Sequence, residues 1–444
     1  MKPKELVTVD IESLAYGGEG IGRVQQKVVF VPLTAPGDRV EISLSESKKN
    51  YSRGTIERFE TLSPFRTVPL CDYYGVCGGC QWQHLKYDFQ LRTKQEIVRT
   101  NLERIGQIHD FELLPILPAP SVYGYRSRVH LQCSTGRSYT LGFFKMNTHE
   151  VVAIEHCDLL PRFHNKILRQ LNECLRSLEH LIVFNEIEIA AHAEKQEALL
   201  SFSAESFPKD RMIPFLKSLK HSIPDVYGIA LHSGNTSEAA AEHFGNCWLE
   251  FEERVHPRGC EEPFVLAKRV HVDTFSQVNL EQNVALIQTL YEWLDASGKE
   301  TLIDLFCGMG NLSLAVARKL GRVIGIENNL TAVDDARYNA QRNNFSHCEF
   351  IHADAVAGLQ LVRDRGIQAD VVFVDPPRKG CKEVLPEIAR LRPPRIFYVS
   401  CNPTTLARDI KLLSQYDYRL RRIQPIDMFP QTYHIETVAE LHAV

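Results

Sequence analysis

From about residue 266 the chain repeats one unit: a short apolar strand, a polar or glycine-rich loop, and a helix. Apolar runs at 301–306, 323–326, 371–374 and 396–400 are each followed by such a loop or helix. Strands alternating with helices specify a parallel, doubly wound sheet. Ligands of such sheets bind beyond the carboxyl ends of the strands, and the chemically notable residues of this chain stand there.

At 444 residues the chain exceeds one ordinary core. Ahead of the repeats, Val28-Val29-Phe30-Val31 and the alternating Arg39-Val40-Glu41-Ile42-Ser43-Leu44 lie between turn signals, which fits a small antiparallel barrel. Lys48, Lys49, Tyr51 and Arg53 add a basic and aromatic patch of the kind that binds single-stranded nucleic acid. Residues 61–80 show little periodicity, as in a loop organised by a ligand. Residues 84–106 have helical spacing. Strand candidates at 129–132 and 186–189 belong to a mixed α+β stretch. The expected division is 1–60, an OB-like β-barrel; 61–265, a central α+β domain with a cysteine loop; and 266–444, a Rossmann-like α/β domain.

In Asp304-Leu305-Phe306-Cys307-Gly308-Met309-Gly310-Asn311, two glycines allow a tight turn and close backbone approach to a ligand. Glu327 ends the next strand, where a carboxylate suits the hydroxyls of a ribose. The missing third glycine disfavours a dinucleotide and leaves room for S-adenosylmethionine. Asp354 and Asp375, at later strand ends, are placed to line the pocket.

Cys401 follows the strand Ile396-Phe397-Tyr398-Val399-Ser400, and Glu436 lies downstream in His434-Ile435-Glu436-Thr437-Val438. A nucleophilic thiol, a base and a methyl-donor pocket together suggest covalent activation of a poorly nucleophilic carbon, as at C5 of a pyrimidine. In Asp375-Pro376-Pro377-Arg378, Arg378 replaces the aromatic residue that would stack a base for exocyclic-amine methylation.

Cys71, Cys77 and Cys80 share one glycine-rich loop, and Cys157 is placed to complete a four-thiolate site. The spacing admits a [4Fe–4S] cluster or tetrahedral zinc. No apolar run is long enough to span a bilayer. Twelve cysteines without a secretion signal suit reduced thiols in the cytosol. A net charge of −4 gives no whole-chain attraction to a polyanion, so any such surface must be local.

Ser400-Cys401-Asn402-Pro403-Thr404-Thr405-Leu406-Ala407-Arg408-Asp409, Asp427-Met428-Phe429-Pro430 and His434-Ile435-Glu436-Thr437-Val438 together resemble the RNA uracil-C5 methyltransferase family over nearly the full chain. The resemblance implies Cys401 as nucleophile and Glu436 as general base. It also implies cofactor contacts at Gln277, Phe306, Asn311, Glu327 and Asp375, and less securely at Asp354, where the family often carries Asn. Phe275 and Arg128 become candidate base or RNA contacts. For Cys71, Cys77, Cys80 and Cys157 it selects the iron–sulfur cluster, with a structural role. The first segment resembles the TRAM domain, an RNA-binding barrel. Barrel and cluster together favour 23S ribosomal RNA at a site like U1939, in a cytoplasmic monomer without a membrane partner. The alternatives are a dual-site ribosomal enzyme, a tRNA uracil methyltransferase, and an iron–sulfur RNA-binding protein without catalysis.

Overall fold

The computed structural model describes residues 6–135, 139–176, 183–205, 209–233, 241–256 and 262–444. Residues 1–5, the start of the expected barrel segment 1–60, lie outside them.

Strands β1 (Leu6–Leu14), β2 (Gly20–Val24), β3 (Lys27–Val31), β4 (Arg39–Ser47) and β5 (Tyr51–Thr61) close into the expected barrel, with β1 paired to β4. Alternation in these strands turns Val9, Ile11, Val29, Val31, Val40 and Ile42 inward. Three polar contacts hold the barrel to the segment after it. Trp82 Nε1 donates to Gly18 O at 3.2 Å, His84 Nε2 meets Thr34 O at 3.1 Å, and Arg66 pairs with buried Asp38 at 2.7 Å.

Residues 62–80 contain no helix or named strand, as expected, and the helix expected over 84–106 begins at Tyr87. Helix α1 (Tyr87–Asn101) follows and ends in a π turn, Leu102–Gly106. A two-residue strand β6 (Glu112–Leu113) precedes the central sheet, which uses β7 (Arg128–Thr135), β8 (Tyr139–Phe144), β9 (Val151–Ala153), β10 (Glu186–His192), β11 (Glu197–Ala204), β12 (Val226–Ser233) and β13 (Ala241–Gly245). Its order is β13-β12-β11-β10-β7-β8-β9. Helices α2 (Arg162–Arg176) and α3 (Lys209–Ser222) share one apolar cluster with this sheet through Ile167, Leu171, Met212 and Leu216. A hairpin, β14 (Trp248–Val255) and β15 (Phe264–His271), meets the sheet through Ala190, Leu199 and Ala230.

The last module begins with α4 (Leu280–Trp293), capped by Asn279, whose side chain accepts from Gln282 N. There follow β16 (Thr301–Leu305), α5 (Ser313–Val316), β17 (Arg322–Glu327), α6 (Leu330–Arg342), β18 (Cys348–His352), α7 (Ala355–Asp364), β19 (Val371–Val374), α8 (Leu385–Leu391), β20 (Arg395–Ser400), α9 (Pro403–Leu413), β21 (Tyr418–Ile426) and β22 (Glu436–Ala443). The eight-stranded sheet runs β18-β17-β16-β19-β20-β22-β21-β6, parallel except for the antiparallel β22. That is the class I methyltransferase topology. Successive residues feed opposite faces: Leu302 and Val323 enter one apolar cluster, Ile303 and Ile324 the other.

The expected division at 265/266 falls inside the β14–β15 hairpin, whose Val255, Phe264 and Leu266 pack in the methyltransferase core. Residues expected in the central domain also join that core. Ile97, Val98 and Leu102 pack on one face of the sheet, and β6 extends its edge. The physical reason is coverage: an open sheet with two apolar faces recruits helices from wherever the chain supplies them.

Candidate active site at the carboxyl ends of the strands

The turn after β16 uses three left-handed residues, Phe306 (φ 61°), Gly308 (φ 53°) and Gly310 (φ 80°). A Cβ on Gly310 would lie 2.8 Å from the Leu314 side chain, so the turn closes tightly there. The resulting cavity is lined by Phe275, Gln277, Asp304, Phe306, Asn311 and Asp375 together with the glycine loop. Asn311 is held by Asn283 Oδ1, to which its Nδ2 donates at 2.8 Å, and by Lys268 Nζ on its Oδ1 at 2.9 Å. Glu327 stands beside the cavity. Its carboxylate accepts from the Gly308 amide at 3.0 Å and from the Asn328 and Asn329 amides at 2.9 Å each, which ties β17 to the glycine turn. Asp354 is not brought into the lining. It is exposed and caps α7, accepting from Val356 N and Ala357 N at 3.0 Å each.

Asp304 is a site residue to which sequence reasoning gave no role. It is fully buried on the cavity wall, where the Ser313 hydroxyl and amide are its polar neighbours. Burial pushes its carboxyl up to about 7, and burial raises Asp375 to about 7 as well. The cavity lining includes these two acids and no Lys or Arg. Such a lining fits a cationic ligand, and S-adenosylmethionine carries an ammonium and a sulfonium. The signal was legible: a single Asp inside the otherwise apolar Thr301-Leu302-Ile303-Asp304-Leu305.

Register joins the other two residues. In the antiparallel β20–β22 pair Ser400 faces Thr437, so Cys401, one residue beyond, emerges beside Glu436, one residue before. Thr437 Oγ1 donates to Ser400 O at 3.0 Å and locks this end of the ladder. Asn402 caps α9, accepting from Thr404 N at 3.0 Å and Thr405 N at 3.4 Å. Its Nδ2 donates to Arg378 O at 3.2 Å, which binds the Asp375–Arg378 turn to the thiol's loop. Burial and the nearby Glu436 carboxylate push the Cys401 thiol up to about 12, while Arg378 pulls it down. Glu436 is raised well above the usual carboxylate range by burial and by Asp375. Tyr16, from the barrel, donates to Cys401 O at 3.3 Å and meets Tyr433 edge-on at 5.4 Å.

Phe275 is 66% exposed at the mouth of the cofactor cavity. Arg128 is instead buried; its guanidinium donates to Thr274 O at 2.6 Å and pairs with Glu188 at 2.7 Å, bracing the turn before Phe275. Elsewhere Cys71, Cys77, Cys80 and Cys157 line one common cavity. Burial pushes their thiols up, Cys71 and Cys157 to about 11 and Cys80 to about 12. The Gly79 amide points at Cys77 Sγ, 3.4 Å away.

Comparison with known proteins agrees with this geometry. Residues 265–443 match the family model for tRNA (uracil-5-)-methyltransferase, and residues 3–56 match the TRAM domain. An uncharacterized RNA methyltransferase of Caldanaerobacter subterraneus subsp. tengcongensis is 35% identical, over 99% of this chain and 98% of that protein. The 23S rRNA (uracil(1939)-C(5))-methyltransferase RlmD of Histophilus somni is 30% identical, over 99% of this chain and 96% of its own. Among solved structures, the Pyrococcus abyssi tRNA (uracil-54, C5)-methyltransferase in complex with S-adenosyl-L-homocysteine superposes with a TM-score of 0.71 at 25% identity. It covers 98% of this chain and 99% of its own. The chain belongs to the S-adenosylmethionine-dependent RNA uracil-C5 methyltransferase family.

Proposed function

We propose that the protein methylates C5 of a uridine in 23S ribosomal RNA, at a site like U1939, through a covalent adduct between Cys401 and C6 of the base. The observation that carries the reading is the register that sets Cys401 beside Glu436, with both close to Asp375, which lines the cavity together with Gln277 and Asp304. Cys401 gives up its proton to solvent and its Sγ, as thiolate, bonds to C6, while the ring π electrons move toward C5 and O4. Bound S-adenosylmethionine supplies the electrophilic methyl that C5 takes up. Glu436, as a carboxylate, then removes the C5 proton; the C5–C6 double bond re-forms and the C6–Sγ bond breaks. Burial favours the protonated form of both the thiol and Glu436, and this reading assigns their activation to the substrate complex. Gln277, Phe306, Asn311, Glu327 and Asp375 position the donor in this reading, with Asp354 at the outer edge.

RNA containing 5-fluorouridine tests the adduct, because fluorine cannot leave as a cation. Wild type should trap it as a denaturation-stable complex and Cys401→Ala should not; methylation by Cys401→Ala at the normal rate would refute the mechanism. Glu436→Gln should accumulate the adduct on ordinary RNA. The ribosomal target is supported by the relative from Histophilus somni. A tRNA target is the second reading, favoured by the fold of the Pyrococcus abyssi enzyme. Parallel assays of 23S and tRNA transcripts separate the two.

Cys71, Cys77, Cys80 and Cys157 line one cavity, and in this reading they are the four thiolate ligands of a [4Fe–4S] cluster, the group that the family resemblance selects over zinc. Such a cluster would cross-link the 71–80 loop to the segment after β9.

A further inference from the structure

Four residues outside the active site converge where the central sheet meets the β14–β15 hairpin. His232 ends β12, His243 lies in β13, His271 ends β15, and Asp273 follows two residues later. Asp273 Oδ1 is 2.9 Å from His232 Nε2; its Oδ2 is 3.0 Å from His243 Nε2 and 3.6 Å from His271 Nδ1. One ligand atom from each of His243, His271 and Asp273 falls within a 4.8 Å cluster, a grouping found nowhere else among the described residues.

The proton inventory of this cluster falls short. His271 Nδ1 accepts from the Asp273 amide at 3.2 Å, so it presents a lone pair and has no proton to give the carboxylate facing it. Both carboxylate oxygens of Asp273 already face histidine nitrogens, Oδ1 that of His232 and Oδ2 that of His243. Two electron-rich atoms therefore face each other with His243 beside them, an arrangement that a cation completes.

We propose that His243, His271 and Asp273 bind a divalent transition-metal ion of the zinc type, with His232 orienting the carboxylate from behind. Two imidazoles and a carboxylate are the donor set of such ions. At bond lengths of about 2.0–2.1 Å a tetrahedral ion sets its donors roughly 3.3 Å apart, between the two separations seen at Oδ2. Loading would exchange the Asp273 N–H···Nδ1 bond and the His243 Nε2···Oδ2 hydrogen bond for bonds to the metal, with the imidazole proton of His243 carried on its Nδ1. His232 donating to the second carboxylate oxygen is the supporting contact that metal-ligating carboxylates usually have. His243 is exposed, which gives the ion an entry path. The site would clamp β12 and β13 to the turn that presents Phe275 and Gln277 to the cofactor cavity.

The test is titration of the full-length protein with Co2+, followed by absorption and by the thermal unfolding midpoint. Wild type should bind one Co2+ with a ligand-field spectrum free of thiolate charge transfer, and its midpoint should rise with cobalt. His243→Gln, on an exposed edge strand, should keep the metal-free midpoint and bind at least tenfold more weakly. Asp273→Asn should lose the cobalt-dependent rise. Equal affinity in wild type and His243→Gln overturns the proposal, as does cobalt seen only on thiolates. A wild type indifferent to cobalt, whose variants merely unfold earlier, reduces the cluster to hydrogen bonding and also overturns it.

Discussion

Cys401, the proposed nucleophile, is held in its unreactive form. Thiolate is the attacking species, and with the thiol near 12 its fraction grows about tenfold per pH unit across the neutral and mildly alkaline range. Alkylation of Cys401 by iodoacetamide in the free enzyme, followed on its own peptide by mass spectrometry, should climb with that slope from pH 7 to pH 9. Arg378 is the neighbour that lowers the thiol, so Arg378→Ala should slow alkylation severalfold at every pH in that range. A plateau below pH 9 would show a thiol already activated before substrate arrives. Cys401 and Glu436 could be singled out in the sequence because each sits in a distinctive run of neighbours, and the β20–β22 register brings the two together. At Asp354 the sequence left a second role unseen, because a carboxylate at a strand end is equally a helix N-cap, and Oδ1 here accepts from the α7 amides. The histidines around Asp273 were illegible for a different reason: they come from separate strands and form no local pattern.

At the level of elements, the segment leading into β22 decides where Glu436 stands. Lys94, from α1, is fully buried and donates to Asp427 Oδ1 at 2.5 Å and to Phe429 O at 3.0 Å. Gln282 of α4 donates to Asp427 O at 2.9 Å, and Asn279 to Met428 O at 3.2 Å. Removing the ammonium leaves a carboxylate stranded without water, so Lys94→Met should cost about 3–5 kcal/mol in urea unfolding. Replacing both partners, Lys94→Met with Asp427→Leu, should recover most of that loss; failure to recover would mean that packing, not the stranded charge, sets the cost. This brace also marks the limit of sequence reading at this scale. The parallel strands were found because buried strands read as uninterrupted apolar runs. The allegiance of α1, β6 and the hairpin was not, because an amphipathic face announces only that it will be covered and leaves open which sheet covers it.

Across the whole molecule, the barrel, the cysteine loop and the methyltransferase sheet meet at one seam. Tyr16 of the barrel reaches the Cys401 carbonyl, and the residues just after Cys80 reach the Glu436 side: the Gln81 and Trp82 amides donate to Gln431 O at 3.2 and 3.0 Å. Gln90 adds a bond to Gln431 Oε1 at 3.0 Å, and Trp82 is wholly buried between these parts. A group held by the four cysteines would therefore fix Gln81 and Trp82, and through them the segment that carries Glu436. Cys401 hangs instead from β20 and α9, which the cysteine loop does not touch through those amides. Cys80→Ser should consequently lose iron and lower the thermal midpoint, and it should slow resolution of the RNA adduct more than its formation. Iodoacetamide should still reach Cys401 at the wild-type rate, because the thiol's own supports are intact. Equal losses in adduct formation and resolution would place the cluster's influence on RNA binding, and an unchanged turnover would disconnect the cysteine loop from Glu436.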